Sequence, residues 1–400
     1  GSLCGGVVMA VSRRPTRSGS RGGSASAVVK PRSRQVPPQT RLFLYVHAGG
    51  RCEFDGCNDY LLEHHVTKTD GNFAEMAHIY AFSGGGPRAK NRKGAIHALS
   101  NLMLLCPKCH KEIDEHAEKW TVSVLRKFKH AHEDRVHMLT GTSPDRDTTA
   151  VVLRGLVAGK PVAISTEEMQ AAVAPRYVSA REACEIDLTA LPDSTDQGFW
   201  EQGKKAIRLK MQRCLESPPR HFSVFALAPI PLLMVLGECL SDKIPTEIYQ
   251  RHRDSDSWRW KAAGEVINFE TKRLRKGSDA TRVALLVAVS GTLPESDLPQ
   301  SIDRTYSVFR ITPTNAVPGT GILQVANSLR EFGSEYRRAL RQIASEHPNV
   351  TEIALFPAVP APVAVAMGRD LLPKRDPSLL VYDFNKAEGG FKRTLEINKP

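Results

Sequence analysis

The stretch NLMLLCPKCHKEID, residues 101–114, places two cysteines three positions apart, with a histidine directly after the second. A second pair lies earlier in the chain, in CEFDGC at residues 52–57. Two such knuckles supply the four thiolates of a tetrahedral structural zinc site. We therefore predict one zinc ion held by Cys52, Cys57, Cys106 and Cys109. The alternative, four unrelated core cysteines, is disfavoured by the paired spacing and by the Gly and Pro turn residues.

The composition is typical of a globular chain of two domains. Of its 400 residues, 41% are hydrophobic and 24% are charged, and chains of this length usually divide. No apolar run approaches the roughly 20 residues of a membrane-spanning helix, so we expect a soluble, cytoplasmic protein. Cysteines in that compartment serve as thiols or metal ligands rather than disulfides. Four isolated cysteines are expected to be neither zinc ligands nor paired: Cys4, Cys184, Cys214 and Cys239.

Positive charge is concentrated in the first part of the chain. Residues 1–140 contain 21 Lys and Arg against 12 Asp and Glu, so they hold +9 of the total net charge of +12. This imbalance suits a partner rich in phosphate. Residues 1–38 contain no acid and are rich in Ser, Gly, Arg and Pro, which predicts a disordered basic arm. That arm is either a plain flexible tail or a contact to nucleic acid, with a transit peptide as a third reading.

Beyond residue 140 the pattern changes to strands that alternate with helices. GTSPDRDTT at residues 141–149 has the composition of a linker, which we place at 141–160. Apolar strands are predicted at 221–228, 282–291, 351–360 and 378–385, and an apolar repeat from Ile322 to Ile343 predicts a long helix. Such alternation indicates a mostly parallel sheet covered by helices. The predicted domains are therefore 39–140 and 161–400.

The order His78, Asn101 and His110, with His110 inside Cys-x-x-Cys-His, resembles the zinc-knuckle branch of the HNH nuclease family over residues 50–116. The resemblance implies an α+β domain of the ββα-metal type. Four thiolates saturate the zinc ion, which leaves His110 for other work. The resemblance assigns His78 as the general base, His110 as a ligand of a catalytic Mg²⁺ or Mn²⁺ ion, and Asn101 as the residue that orients the loop.

The sequence departs from the usual HNH pattern at one position. Many relatives have Asp directly before the base histidine as a metal ligand, whereas this chain has Ala77. Glu75 and Asp114 are the candidates for the missing ligand, and Asp114 lies one helical turn after His110. Between the base and Asn101 the run PRAKNRK predicts contacts to DNA phosphates, which we assign to Arg88, Lys90, Arg92 and Lys93. The remaining histidines are predicted to be solvated: His64 and His65 on a hairpin, and His97, His116, His130, His132 and His137 on helices.

The second half resembles the SAVED domain, an α/β Rossmann-like relative of CARF domains that binds cyclic oligonucleotides. VFALAPIPLLMVLGECL, LLVAVSGTL and EIALFPAVPAPVAVAMGRDLLP carry this resemblance, which spans about residues 160–400. A pocket for such a ligand needs aromatic rings for the bases and cations for the phosphates. The stretch YQRHRDSDSWRWK and the strand ends supply the candidates Arg251, Arg253, Trp258, Trp260, Ser290 and Tyr382. Core tryptophans and a solvated basic turn remain the alternative.

An HNH nuclease joined to SAVED is the arrangement of endonuclease effectors in bacterial CBASS anti-phage systems. The resemblance implies a double-stranded DNA endonuclease activated by a cyclic dinucleotide of the cyclic GMP-AMP type. It also implies a homo-oligomer, a dimer that assembles further when the ligand binds. One alternative is a restriction endonuclease whose second domain reads modified bases. Another is a nonenzymatic zinc protein that binds DNA, which would leave His78, Asn101 and His110 unexplained.

Overall fold

The computed structural model describes residues 35–86, 88–89, 94–157, 160–179, 183–191, 197–240, 242–385 and 389–398. The chain divides after Thr140 into two compact units. Most of the predicted arm, residues 1–34, lies outside the described residues, and so does Cys4. No described helix is both long enough and apolar enough to cross a bilayer.

The first unit is a short β-hairpin surrounded by three helices. Strand β2 is buried at all four positions, and it pairs antiparallel with β1, with Glu75 opposite Leu105 and His78 opposite Leu102. The second Cys pair begins the next helix, where Cys106 is the N-cap and Pro107 occupies the first turn. The elements are α1 (Pro38–His47), β1 (Glu75–His78), a 3₁₀ turn (Leu99–Asn101), β2 (Leu102–Leu105), α2 (Pro107–Glu115) and α3 (Val122–Thr140).

The second unit contains a five-stranded parallel sheet in which β3 pairs with β6, β7 and β8, and β8 pairs with β9. Its elements are a 3₁₀ turn (Pro144–Arg146), β3 (Asp147–Arg154), β4 (Leu156–Val157), β5 (Lys160–Pro161), α4 (Thr166–Val173), β6 (Tyr177–Val178), β7 (Cys184–Asp187), α5 (Gln197–Glu216), β8 (Phe222–Leu227), α6 (Ile230–Leu240) and β9 (Thr246–Ile248). The predicted linker at 141–160 is therefore wrong beyond residue 146, because β3 is a central strand.

A six-stranded sheet follows in the order β10-β12-β11-β13-β14-β15, parallel from β12 to β14 and antiparallel at both edges. Its elements are β10 (Phe269–Arg275), β11 (Val283–Ala288), a 3₁₀ turn (Glu295–Asp297), β12 (Ser307–Pro313), α7 (Ala326–Glu346), β13 (Glu352–Ala358), α8 (Ala361–Arg369), β14 (Ser378–Asn385) and β15 (Gly390–Ile397). Each of the four predicted apolar strands coincides with an observed strand, which confirms the α/β fold class. Helix α7 begins later than the apolar repeat that predicted it.

Two helices, α6 and α8, join the two sheets into one core. They cross so closely that a Cβ atom at Gly237 would lie 2.0 Å from the Val365 carbonyl oxygen, and one at Gly368 would lie 2.0 Å from that of Met234. The same spacing recurs in both segments: Pro229, Pro231 and Gly237 correspond to Pro360, Pro362 and Gly368 at a constant offset of 131 positions. This internal repeat is visible in the sequence, but its significance emerges only from the packing.

One expectation about the cysteines is wrong. Cys184 at the start of β7 and Cys214 on α5 form a disulfide, with their Sγ atoms 2.14 Å apart. Their separation of 30 residues gave no pattern from which the pairing could be predicted. Cys239 has a free thiol, as expected.

Candidate functional site

The four predicted cysteine ligands converge on one point. Their Sγ atoms all lie within 4.8 Å of one another, and within the described ranges they are the only His, Cys, Asp or Glu group of three or more that does so. The Cys57 and Cys106 sulfurs are 4.0 Å apart, close to the ~3.8 Å edge of a tetrahedron with Zn–S bonds of about 2.3 Å. Burial raises the pKa of the Cys52 thiol to about 12, so a cation is needed to stabilise the thiolates. The donor set therefore fits zinc.

Asn101 binds the backbone of two segments, the one after β1 and the one before the 3₁₀ turn. The residue is buried. Its Oδ1 accepts a hydrogen bond from the Tyr80 amide at 2.8 Å, and its Nδ2 donates to the carbonyl oxygens of Ile96 at 2.9 Å and Tyr80 at 3.2 Å. A side chain that satisfies three backbone groups fixes the loop that it binds.

His110 lies between the two carboxylates that the sequence offered as alternatives. Its Nδ1 is 2.7 Å from Glu75 Oε2, and its Nε2 is 3.5 Å from Asp114 Oδ2. Side chains two positions apart on a strand share a face. Glu75 therefore projects from the same face of β1 as Ala77, the position at which many HNH relatives have an aspartate ligand. The structure thus brings a carboxylate to each nitrogen of His110. Imidazole and carboxylate groups are ligands that divalent cations accept, but unlike the four cysteines these three side chains do not converge on one point.

The structure contradicts the prediction that Arg88 contacts DNA phosphates. Only 5% of its side chain is exposed. The guanidinium donates to the carbonyl oxygens of Ile79 at 2.9 Å and Ile113 at 2.5 Å, and it pairs with Asp114 Oδ1 at 3.2 Å. Arg88 therefore joins the segment after β1 to α2 and orients Asp114. Lys90, Arg92 and Lys93 lie outside the described residues.

The predicted base, His78, is the last residue of β1 and lies beside His97, for which we predict a solvated position. His78 Nε2 is 3.3 Å from His97 Nδ1. His97 is partly buried, so the prediction of a solvated helix position is wrong for it. The same prediction is wrong for His132, which is buried with Nε2 3.0 Å from the Ala48 carbonyl oxygen. His116, His130 and His137 are exposed, as predicted.

The residues predicted to bind a nucleotide do not form one pocket. Trp258 is a core residue, packed edge-on against Phe225 with ring centroids 5.4 Å apart. The prediction that it stacks on a base is therefore wrong. Arg251 is engaged with Glu168 and Asp256, each at 2.6 Å. Tyr382 stacks on Phe356 in a cluster on the sheet face opposite α7.

Trp260 faces a different feature, a groove of about 460 Å³ between the edge strand β9 and helices α7 and α8. The WRW motif also contributes Arg259 to this groove. We call it the arginine groove, defined by Trp260 and by the cationic side chains Arg259, Arg330, Arg337 and Arg369. Glu247 and Asp370 are the acids in its lining, and Asp370 pairs with Arg337. Arg253 and Ser290 do not line it.

The first unit thus contains a β-hairpin, a cysteine knuckle and a following helix, as the HNH resemblance implies, and the second unit contains parallel sheets and a cationic groove. Comparison with protein families agrees. A model described as HNH endonuclease matches residues 52–117, and the model for the SMODS-associated and fused to various effectors sensor domain, SAVED, matches residues 205–397. The chain thus contains one segment that matches the HNH endonuclease family and one that matches the SAVED sensor domain, the two domains that the sequence predicted.

Solved structures of similar fold include a Cap4 SAVED/CARF-domain containing receptor from Acinetobacter baumannii with the cyclic trinucleotide 3′3′3′-cAAA. Its TM-score is 0.45 at 14% identity, and the match covers 73% of this chain and 62% of that chain. The receptor from Moraxella osloensis has a TM-score of 0.40 at 13% identity, covering 72% and 60%. The chain thus spans about three fifths of the length of these structures. A search of curated proteins found no significant match.

Proposed function

We propose that the chain is a double-stranded DNA endonuclease of anti-phage defence that a cyclic oligonucleotide activates and that requires a divalent cation. The observation that carries the proposal is the placement of His78 at the end of β1, Asn101 directly before β2 and His110 on α2, within the segment that matches the HNH family. The positive charge of residues 1–140 supports a phosphate-rich substrate.

His78 is the general base of this proposal. An imidazole that titrates near neutrality accepts a proton from water as the water oxygen attacks phosphorus. The bond from phosphorus to the 3′ oxygen then breaks, and that oxygen departs. Asn101 contributes by fixing the backbone around the base, and Arg88 by holding α2 and Asp114 against the hairpin.

His110 would hold Mg²⁺ or Mn²⁺ together with one of the two carboxylates beside its ring, Glu75 or Asp114. Such a cation neutralises charge on the phosphoryl and leaving oxygens. The contact of 2.7 Å between Glu75 and Nδ1 is a hydrogen bond that orients the ring. Nε2, facing Asp114 at 3.5 Å, is then the nitrogen left for the cation.

The arginine groove is the site that we assign to the cyclic oligonucleotide. It combines an indole ring, which can stack on a base, with guanidinium groups that recognise phosphates in a bidentate manner. Of the residues predicted from the sequence, Trp260 alone contributes to it. A cyclic dinucleotide of the cyclic GMP-AMP type remains the predicted ligand.

The decisive experiment incubates the purified chain with plasmid, Mg²⁺ or Mn²⁺ and a panel of cyclic di- and trinucleotides. We expect linearised plasmid only with one of the nucleotides and a cation. Cleavage of modified DNA without any nucleotide would instead identify a modification-dependent restriction endonuclease. The absence of cleavage under every condition, with DNA binding retained, would favour a nonenzymatic zinc protein.

Variants then test the two assignments. His78→Ala should lower the cleavage rate by about 10²–10⁴-fold with zinc content and nucleotide affinity unchanged, whereas His130→Ala, at an exposed histidine of α3, should cut like the parent. Arg330→Ala should weaken nucleotide binding measured by calorimetry, and Arg213→Ala, at an exposed position of α5, should not. Unchanged affinity in Arg330→Ala and Arg259→Ala would exclude the arginine groove.

A further inference from the structure

The arginine groove contains a carboxylate that, among the described residues, pairs with no arginine. Glu247 and Asp370 both line the groove, and Asp370 pairs with Arg337. Glu247 is exposed, and its Oε2 accepts a hydrogen bond from the Tyr249 hydroxyl at 2.7 Å. A carboxylate repels the phosphates of a nucleotide, so the cationic character of the groove does not explain why Glu247 is there.

Tyr249 holds the Glu247 carboxylate in place. The Tyr249 ring is buried and stacks on Phe225, with centroids 4.8 Å apart and an interplanar angle of 8°. Burial raises the pKa of the Tyr249 hydroxyl, so the hydroxyl keeps its proton and donates it to the carboxylate. The two oxygens of a carboxylate offer about four acceptor positions. Glu247 can therefore accept two further N–H groups from a ligand.

Trp260 is fastened to the residue that follows Glu247 on β9. Its indole Nε1 donates to the Ile248 carbonyl oxygen at 3.1 Å, and His252 packs against its ring with centroids 5.7 Å apart. An indole ring is a surface on which a base can stack. The β9 side of the groove therefore offers a ring for the face of a base and a carboxylate for its edge.

The helices on the other side of the groove contribute most of its cations. Arg330 and Arg337 lie on α7 and Arg369 lies on α8. The fourth cation, Arg259, adjoins Trp260. Guanidinium groups bind phosphates in a bidentate manner. The groove is thus suited to a ligand whose phosphates face the helices and whose base faces β9.

We infer that Glu247 selects guanine, so that the cyclic oligonucleotide bound in the groove contains a guanosine, an inference that rests on the proposed nucleotide site. Guanine presents two N–H donors side by side, at N1 and N2, and a carboxylate can accept both. Adenine, cytosine and uracil each present a donor beside an acceptor on the same edge. That acceptor would face a carboxylate oxygen and repel it, which discriminates against these bases.

An acid that is merely solvated is the competing explanation of Glu247. Exposed acids are common on protein surfaces, and such an acid would weaken the binding of every nucleotide through its charge alone. Removal of the charge would then strengthen the binding of all nucleotides, whichever bases they carry. The inference requires the opposite result for guanine, so one substitution separates the two explanations.

The test measures by calorimetry the binding of cyclic nucleotides to the full chain. The panel contains cyclic di-GMP, cyclic GMP-AMP and cyclic AMP-AMP-GMP, and, without guanine, cyclic di-AMP, cyclic di-UMP and cyclic tri-AMP. The parent should bind a guanine nucleotide most tightly, and its inosine analogue, which lacks the N2 amino group, about 10-fold more weakly.

Glu247→Gln should weaken the binding of that guanine nucleotide by about 10–100-fold. It should also raise the relative affinity for cyclic di-AMP, because an amide offers one donor and one acceptor, as adenine does. Tyr249→Phe keeps the packing on Phe225 and should weaken guanine binding by about 2–10-fold. Glu331→Gln is the matched control, at an exposed acid of α7 outside the groove lining, and equal thermal midpoints confirm the fold.

Tighter binding of a nucleotide without guanine than of any with guanine would overturn the inference and leave the proposed nucleotide site intact. Equal affinity of the parent and Glu247→Gln for the guanine nucleotide, or tighter binding of every nucleotide by this variant, would overturn it in favour of a solvated acid. Failure of the parent to bind any cyclic nucleotide would refute the proposed function, and the inference with it.

Discussion

His110 is the residue at which structural and catalytic requirements meet. It directly follows Cys109, the last of the four convergent cysteines, and each of its ring nitrogens has a carboxylate beside it. The two carboxylates differ in their other contacts, because Arg88 binds Asp114 at 3.2 Å and neutralises part of its charge. This arrangement holds the ring in one orientation, and it leads to a test of which groups bind the cation.

We predict that His110→Ala and Asp114→Asn raise the concentration of Mn²⁺ that gives half-maximal cleavage by about 10–100-fold, because each removes a ligand. Glu75→Gln should change it less, because an amide oxygen still accepts the hydrogen bond from Nδ1. The measurement is the cleavage rate of activated protein against cation concentration. Lys111→Ala, on the same helix, is the control. If Glu75→Gln has the largest effect, Glu75 is the ligand and Asp114 the orienting group.

Asp383 on β14 gives a prediction about pH. Burial raises the pKa of its carboxyl from 3.8 to about 6. Between these values the native state binds more protons than the unfolded state, so this group lowers stability as the pH rises from about 4 to 6. Asp383→Asn should therefore stabilise the second unit by about 3 kcal/mol at pH 7 and leave it unchanged near pH 3.5. Denaturant unfolding at both pH values measures this, and an equal effect at both would contradict it.

At this scale the sequence predicts those site residues whose role follows from local spacing. The four cysteines are spaced as zinc ligands are, and the structure brings them together. The roles of His78, Asn101 and His110 come from the HNH resemblance, and the structure adds a carboxylate at each nitrogen of His110. The predictions for Arg88 and His97 are wrong because the residues that they contact lie far away in the sequence. Arg88 binds Ile113 and His97 contacts His78, and a charged or aromatic residue in a polar loop gives no sign of such burial.

Among the elements, α2 depends most on the predicted zinc ion. It has nine residues, too short to be stable alone, and its N-cap Cys106 is one of the four convergent thiols. We predict that Cys106→Ser abolishes zinc binding and unfolds the first unit, while the second unit melts as in the parent. Metal analysis and calorimetry are the measurements, with Lys108→Ala as the control. Parent protein purified without chelator that contains no zinc would refute the four-cysteine site.

The crossing of α6 and α8 leads to a prediction at the same scale. A Cβ atom at Gly368 would lie 2.0 Å from the Met234 carbonyl oxygen and 3.0 Å from the Glu238 amide. Backbone atoms cannot move aside as a flexible side chain can, so Gly368→Ala should force the helices apart and destabilise the second unit by about 3 kcal/mol or more. Gly291→Ala is the control, because no atom lies within 4 Å of the added Cβ. Equal melting temperatures of the two variants would contradict the close crossing.

The elements themselves are predictable where burial leaves a continuous apolar run, as in β8, β11, β13 and β14. The linker prediction for residues 141–160 is wrong because the Gly, Ser, Pro and Asp residues in its first half are typical of loops. Strand β3 then begins with the polar residues Asp147, Thr148 and Thr149, which give no sign of a strand. The repeat of α6 and α8 is hard to recognise in the sequence because the two segments share only two prolines and one glycine at the same spacing. The two glycines lie where the helices cross too closely for a Cβ atom, and this becomes evident only when both helices are seen in contact.

For the whole molecule, the question is how a ligand bound to one unit governs chemistry in the other. Every proposed catalytic residue lies before Thr140, and the arginine groove lies entirely after it. We predict that the ligand acts without entering the catalytic site. An HNH site cuts one strand, so a double-strand break is most readily made when two sites come together. Ligand-controlled assembly would bring two nuclease sites together without placing the ligand in either site.

We predict that the activating cyclic nucleotide increases the oligomeric state of the protein at concentrations where DNA is cut. A ligand shifts such an equilibrium only by binding the assembled state more tightly, and a nearly complete switch requires a preference of about 10⁴-fold. Light scattering with and without nucleotide measures the mass, and Arg330→Ala should show neither the mass increase nor cleavage. His78→Ala should assemble like the parent without cutting, which separates assembly from chemistry. A constant mass during active cleavage would exclude assembly as the switch and would require the nucleotide to act within a single chain.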